Sequence, residues 1–147
     1  MPYSYAEGIY QCDGAPLDAI AKDAGTPCYV YSAGAILSRY RAYDEAFADL
    51  PHQVCYAVKA NSNINVLRLL AEAGAGFDIV SGGELYRVLR AGGDARKVVF
   101  SGVGKTEDEI AYALSENIHI FNCESEPELA VIDAVAVVRN SRGCKRT

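Results

Sequence analysis

The sequence predicts an α/β fold in which short β-rich runs alternate with amphipathic helices. Three observations carry this. Strand-like runs recur at near-constant spacing, 23 residues from Val54 to Phe77, 21 from Phe77 to Val98 and 21 from Val98 to His119. Three of the intervening helix starts carry the S/T-x-x-E pattern, in which a hydroxyl and a carboxylate satisfy free amide hydrogens of the first turn. These are Ser81 with Glu84, Thr106 with Glu109 and Ser125 with Glu128. Finally, 147 residues suffice for one sizeable core but fall short of the roughly 250 of a complete (β/α)8 barrel.

The elements follow in order. The run Thr26-Pro27-Cys28-Tyr29-Val30-Tyr31 reads as a strand, followed by a helix over about 33–50. Residues 53–59 form the next strand, and a helix from about Asn63 to Ala73 is ended by Gly74. Residues 76–80 precede a helix over about 83–91, closed by Gly92-Gly93. Residues 97–101 precede a helix over about 107–115, and residues 118–122 precede one starting near Glu126. Four βα units therefore lie between Gln53 and about Val138. Alternation of this kind fits an open doubly wound sheet and half of a barrel equally well.

Composition narrows the setting. Half of the residues are hydrophobic and 22% are charged, the profile of a soluble globular domain. No apolar run reaches the roughly 18 residues that span a bilayer, so no membrane partner is expected. The net charge of −5 argues against a nucleic-acid partner. Five scattered cysteines without a C-x-x-C pair, and only two histidines, make a zinc site improbable and favour a reducing compartment. The N-terminus lacks the regions of a signal peptide, so a cytoplasmic location is expected. The last nine residues differ from the rest. They carry Arg139, Arg142, Lys145 and Arg146 and no acid, so residues 1–138 alone have a net charge of −9.

Chemistry in parallel α/β folds gathers at the carboxyl ends of the strands. Lys59 lies there, and alternation along a strand puts Cys55, Ala57 and Lys59 on one face, opposite Val54, Tyr56 and Val58. A strand-end amine suits Schiff-base chemistry, although a lysine merely reaching solvent has the same pattern. Asp78 interrupts an apolar strand and could pair with Lys59, hold a cofactor or begin a turn. Gly104-Lys105-Thr106 is not a nucleotide P-loop, because the first glycine of that motif would fall at Val99.

The run Tyr56-Ala57-Val58-Lys59-Ala60-Asn61 resembles the lysine motif of the pyridoxal-phosphate enzymes of the alanine-racemase-like, fold-type III class. The stretches 25–31, 73–85, 100–105 and 121–129 narrow the resemblance to the diaminopimelate decarboxylase branch. The similarity extends from about Tyr10 to about Ala134. It implies an incomplete (β/α)8 TIM barrel of about four βα units. Residues 1–25 would join a β domain, 26–138 form the partial barrel, and 139–147 are a tail outside the family pattern, expected from a frameshift or early stop. It further implies pyridoxal 5′-phosphate as cofactor, held by Lys59 through a Schiff base, with Ala57 lining the site and Asp78 near the lysine. The implied activity is decarboxylation of meso-2,6-diaminopimelate to L-lysine and CO2 by a homodimer with a small amino-acid substrate. The later segments of that family are missing here, so this chain alone is expected to be inactive and to self-associate. A non-catalytic pyridoxal-phosphate carrier and an open α/β small-ligand module are the alternatives.

Overall fold

The computed structural model describes residues 1–143, with side-chain surroundings through Arg139. Residues 144–147, the end of the basic tail, lie outside the described residues. Two compact units divide between Asp49 and Leu50.

The first unit opens with a small antiparallel sheet of β1 (Tyr3–Ala6), β2 (Ile9–Cys12) and β3 (Ala15–Pro16). Two-residue turns join its strands, and both turn residues have positive φ in each case: 52° and 79° at Glu7-Gly8, 48° and 83° at Asp13-Gly14. Such turns match the twist of paired strands. Helices α1 (Leu17–Ala24) and α2 (Ala33–Ala46) follow. Ser32 caps α2 by accepting from Ala35 N–H and donates its own hydroxyl proton to Asp13, which also accepts from Gly34 N–H. The Asp13 carboxyl is held below its usual range, first by the Gly34 N–H and then by the Ser32 hydroxyl.

Two expectations change in this unit. Residues 26–31 are not a strand: no ladder pairs them, and Tyr29 and Tyr31 are exposed. A β-rich run becomes a strand only where a neighbour supplies backbone partners. The helix expected to reach residue 50 stops at Ala46.

The second unit holds four parallel strands, β4 (Cys55–Ala57), β5 (Gly76–Ile79), β6 (Val98–Phe100) and β7 (Ile120–Phe121), in the spatial order of the sequence. Helices α3 (Ile64–Glu72), α4 (Gly82–Arg90) and α5 (Glu107–Ser115) make the crossovers, and α6 (Glu126–Gly143) follows β7. The helix therefore continues past position 138.

The strand order decides between the two architectures. A doubly wound sheet reverses direction at a switch point. Here each strand is laid beside the last without reversal, as in a (β/α) barrel. Burial agrees. Phe77, Ile79, Val98 and Phe100 are wholly buried on one face of the sheet, with Leu85, Val88 and Ile110 of the helices. The alternate residues Ala57, Asp78 and Val99 are only partly covered.

The helix starts are firm, but the boxes differ from the expected pattern. Thr106 and Glu109 form the reciprocal box. At Ser81 and Ser125 the hydroxyl caps as expected, but the carboxylates of Glu84 and Glu128 accept from Val80 N–H and Glu124 N–H, one residue before the cap.

Candidate functional site

The candidate site is built on the carboxyl ends of β4 to β7: β5 contributes Asp78, the residues after β6 and β7 contribute Ser101 and Asn122, and the turn after β4 contributes Lys59. Lys59 does not lie on a strand, contrary to the expected run of 53–59. The ladder ends at Ala57 and a 3₁₀ turn over Val58–Ala60 takes its place. Val58 is completely buried and anchors this turn, while Lys59 is exposed. Among the described residues its ammonium has no hydrogen-bond or ion-pair partner, so the amine is available to a ligand.

Ala57 and Asp78 face each other in register, and the row continues through Val99 to Ile120. Residues paired in a parallel ladder point to the same side. Asp78 is thus placed on the open face beside Ala57, a side chain of one carbon that precedes Lys59 by two residues. One position further on, Ser101 and Asn122 follow the ends of β6 and β7. Asn122 Nδ2 donates to Ser101 Oγ at 3.0 Å, and Ser101 Oγ donates to Asp78 Oδ1.

Beneath this row lies an ion pair. The Lys105 side chain is 1% exposed. Its ammonium donates to Glu128 Oε1 at 2.8 Å, Gly102 O at 2.7 Å and Asn122 O at 2.9 Å, and stands 5.6 Å from the centre of the Phe100 ring. All three ammonium protons are used. The Lys105 ammonium, then the Glu124 N–H, holds the Glu128 carboxyl below its ordinary range. Glu109 links α5 to α4: its Oε1 accepts from Gly82 N–H at 2.8 Å while Oε2 caps its own helix. Those two amides, Gly82 first, push its carboxyl down.

The structure brings Ala57 and Asp78 side by side and puts Lys59 in the turn that follows. Sequence reasoning overlooked Ser101, Asn122, Lys105 and Glu128. A usable signal existed for two of them: Phe100-Ser101 and Phe121-Asn122 each end an apolar run on a polar residue, at the same place as the Lys59 turn. Lys105 was weighed only as part of a phosphate loop, whereas its charge is spent inside the protein. Among the described residues no cluster of metal-ligating side chains occurs, and no described helix is long and apolar enough to cross a membrane.

An open face with an alanine at β4, a free lysine amine and a carboxyl group at the strand ends fits an aldehyde cofactor that condenses with lysine. The family model described as "Pyridoxal-dependent decarboxylase, pyridoxal binding domain" matches residues 33–140. The chain belongs to that family, whose cofactor is pyridoxal 5′-phosphate.

Its relatives are more particular. The chain is 56% identical over 134 residues to a diaminopimelate decarboxylase of Pseudomonas aeruginosa, covering 91% of this chain and 32% of that protein. It is 47% identical over 136 residues to a diaminopimelate decarboxylase of Aquifex aeolicus, covering 92% and 32%. Among solved structures, diaminopimelate decarboxylase of M. jannaschii in complex with L-lysine is 38% identical, with a TM-score of 0.89 over 94% of this chain and 33% of that one. The chain thus spans about a third of the length of these relatives.

Proposed function

We propose that this chain supplies the lysine-bearing strand ends of a carboxy-lyase that converts meso-2,6-diaminopimelate to L-lysine and CO2. The observation that carries the reading is the unpartnered Lys59 amine in the turn that directly follows the Ala57–Asp78 pair at the carboxyl end of a parallel sheet. The names of the relatives support the substrate. Bound pyridoxal phosphate supplies an electron-withdrawing ring for the decarboxylation. The chain's own residues do the rest of what is assigned here. Lys59 would hold the cofactor through its amine, the nucleophile that an aldehyde requires. Ala57 keeps the face open for a flat ring. Asp78 presents its carboxyl group on the same face, in register with Ala57. Four free cysteines among the described residues support a cytoplasmic setting, and pairing of two copies is part of the same proposal.

The test is to mix the protein with pyridoxal phosphate, reduce with borohydride and map the pyridoxyl group by peptide mass spectrometry. Lys59 should carry it, and Lys59→Arg should not be labelled. Equal labelling of Lys22 and Lys59 would count against the site. Release of CO2 from carboxyl-labelled meso-diaminopimelate, but not from L-ornithine or L-arginine, supports the enzyme. Labelling without release is the outcome expected of this chain alone, which spans about a third of the length of its relatives. Sedimentation as a monomer would remove the pairing.

A further inference from the structure

We propose that Ser101 and Asn122 are positioning residues that hold the Asp78 carboxylate in one orientation beside Lys59. The inference rests on the pyridoxal reading of the site and adds residues to it.

The direction of the chain of hydrogen bonds follows from chemistry. An amide nitrogen only donates, so Asn122 Nδ2 must give a proton to Ser101 Oγ. Ser101 then has one proton of its own, and it goes to Asp78 Oδ1. No other arrangement satisfies all three groups. Asp78 is therefore engaged as an acceptor through one oxygen, and among the described residues Oδ2 has no partner. The network orients the carboxylate without using up its capacity.

The far end of the chain is immobilised. The backbone carbonyl of Asn122 accepts from the Lys105 ammonium, which also grips Gly102 O, one residue after Ser101. A single buried cation thus ties the segments that carry both positioning residues, and Glu128 balances its charge. Phe100 and Phe121, the residues immediately before Ser101 and Asn122, stack at 5.7 Å on the other face and set the spacing of the two strand ends. Fold stability alone does not require a polar chain on a half-open face. What the arrangement delivers is one carboxylate at a set angle, in register with Ala57, which precedes Lys59 by two residues. A fixed carboxylate favours the positive charge that the Lys59 nitrogen carries as it condenses with an aldehyde.

The experiment uses the 147-residue chain with added pyridoxal phosphate, and reads the fraction of Lys59 trapped by borohydride as a function of pH. Ser101→Ala should lower trapping at neutral pH by about ten-fold, the weight of one hydrogen bond to a charged group, and displace the midpoint of the pH profile. Asp78→Asn should displace it in the same direction. Ser101→Ala should add nothing in the Asp78→Asn background, and Ser101→Thr, which keeps the hydroxyl, should restore the profile. An unchanged profile in Ser101→Ala, or an equal further loss in the Asp78→Asn background, overturns the proposal. If the unmodified chain is not labelled at Lys59, the pyridoxal reading itself falls. The hydrogen-bond chain is then judged by urea unfolding. Ser101→Ala, Asp78→Asn and the double variant should be non-additive, and additive midpoints would overturn the positioning assignment on their own.

Discussion

Replacement of Gly76 by alanine probes how tightly the site-bearing strands are set. Gly76 begins β5, is buried, and lies two residues before Asp78 on the same face. A methyl there would stand 2.6 Å from the Lys97 carbonyl oxygen, 2.7 Å from Gln53 Nε2 and 2.8 Å from Cys55 Sγ. The two side chains can swing away. The carbonyl cannot, because it belongs to the backbone that enters β6. It also accepts from Gln53 Nε2 at 3.1 Å, a bond the methyl would break. The strands must separate locally. Overpacking of this kind costs about 1–3 kcal/mol, and an exposed hydrogen bond adds roughly 0.5 kcal/mol. Restricting the unfolded chain returns about 0.4–1 kcal/mol, since Gly76 has no left-handed φ. The net is a loss of about 0.5–3 kcal/mol, centred on about 2 kcal/mol. For a cooperative unit of this size the central value lowers the melting temperature by about 8–15 °C. The assay is thermal unfolding followed by circular dichroism. The control is Gly83→Ala in the first turn of α4, where the methyl meets only Ser81 Oγ at 3.8 Å and melting should hold or rise slightly. Melting of Gly76→Ala within about 2 °C of the parent would refute the reasoning, because it would mean that β5 can leave β6 without cost.

Other expectations can be checked together. Thr106→Ala removes the reciprocal cap of α5 and should cost about 1 kcal/mol in urea unfolding. Asp13→Ala should loosen the start of α2, read as faster amide exchange at Gly34 and Ala35, because Asp13 holds both the Ser32 hydroxyl and the Gly34 amide. Asp13, Glu109 and Glu128 all have carboxyl pKa values below their ordinary range in the folded chain. Each therefore adds stability that is present above the unfolded carboxylate pKa and is lost as pH falls through the lower folded value. Unfolding midpoints should be flat near neutrality and drop in acid, and Glu109→Gln should flatten part of that drop. A midpoint that rises on acidification would contradict the assigned partners.

Much of the architecture was legible because its signals are local. The alternation of strand and helix, the hydroxyl caps at Ser81, Thr106 and Ser125, and the place of Lys59 next to a strand end depend on neighbours within four residues. The first unit was less legible. Asp13-Gly14, a strong hairpin signal, does form a two-residue turn, yet nothing around it repeated at a regular spacing. Residues 26–31 had strand composition without a partner strand, and Lys59 proved to sit in a turn because the ladder stops at Ala57.

By itself, then, the sequence determined the class of fold, the βα period and the lysine motif, through patterns of period two and 3.6 that each segment carries alone. Only the tertiary structure decided that the strands lie in sequential order, which makes the sheet a portion of a barrel. It alone joined Asp78, Ser101 and Asn122 into one chain and gave Lys105 to Glu128. These partners are 21–23 positions apart, and whether they touch depends on strand register and loop path. Those are fixed by the packing of whole elements, which a local periodicity cannot encode.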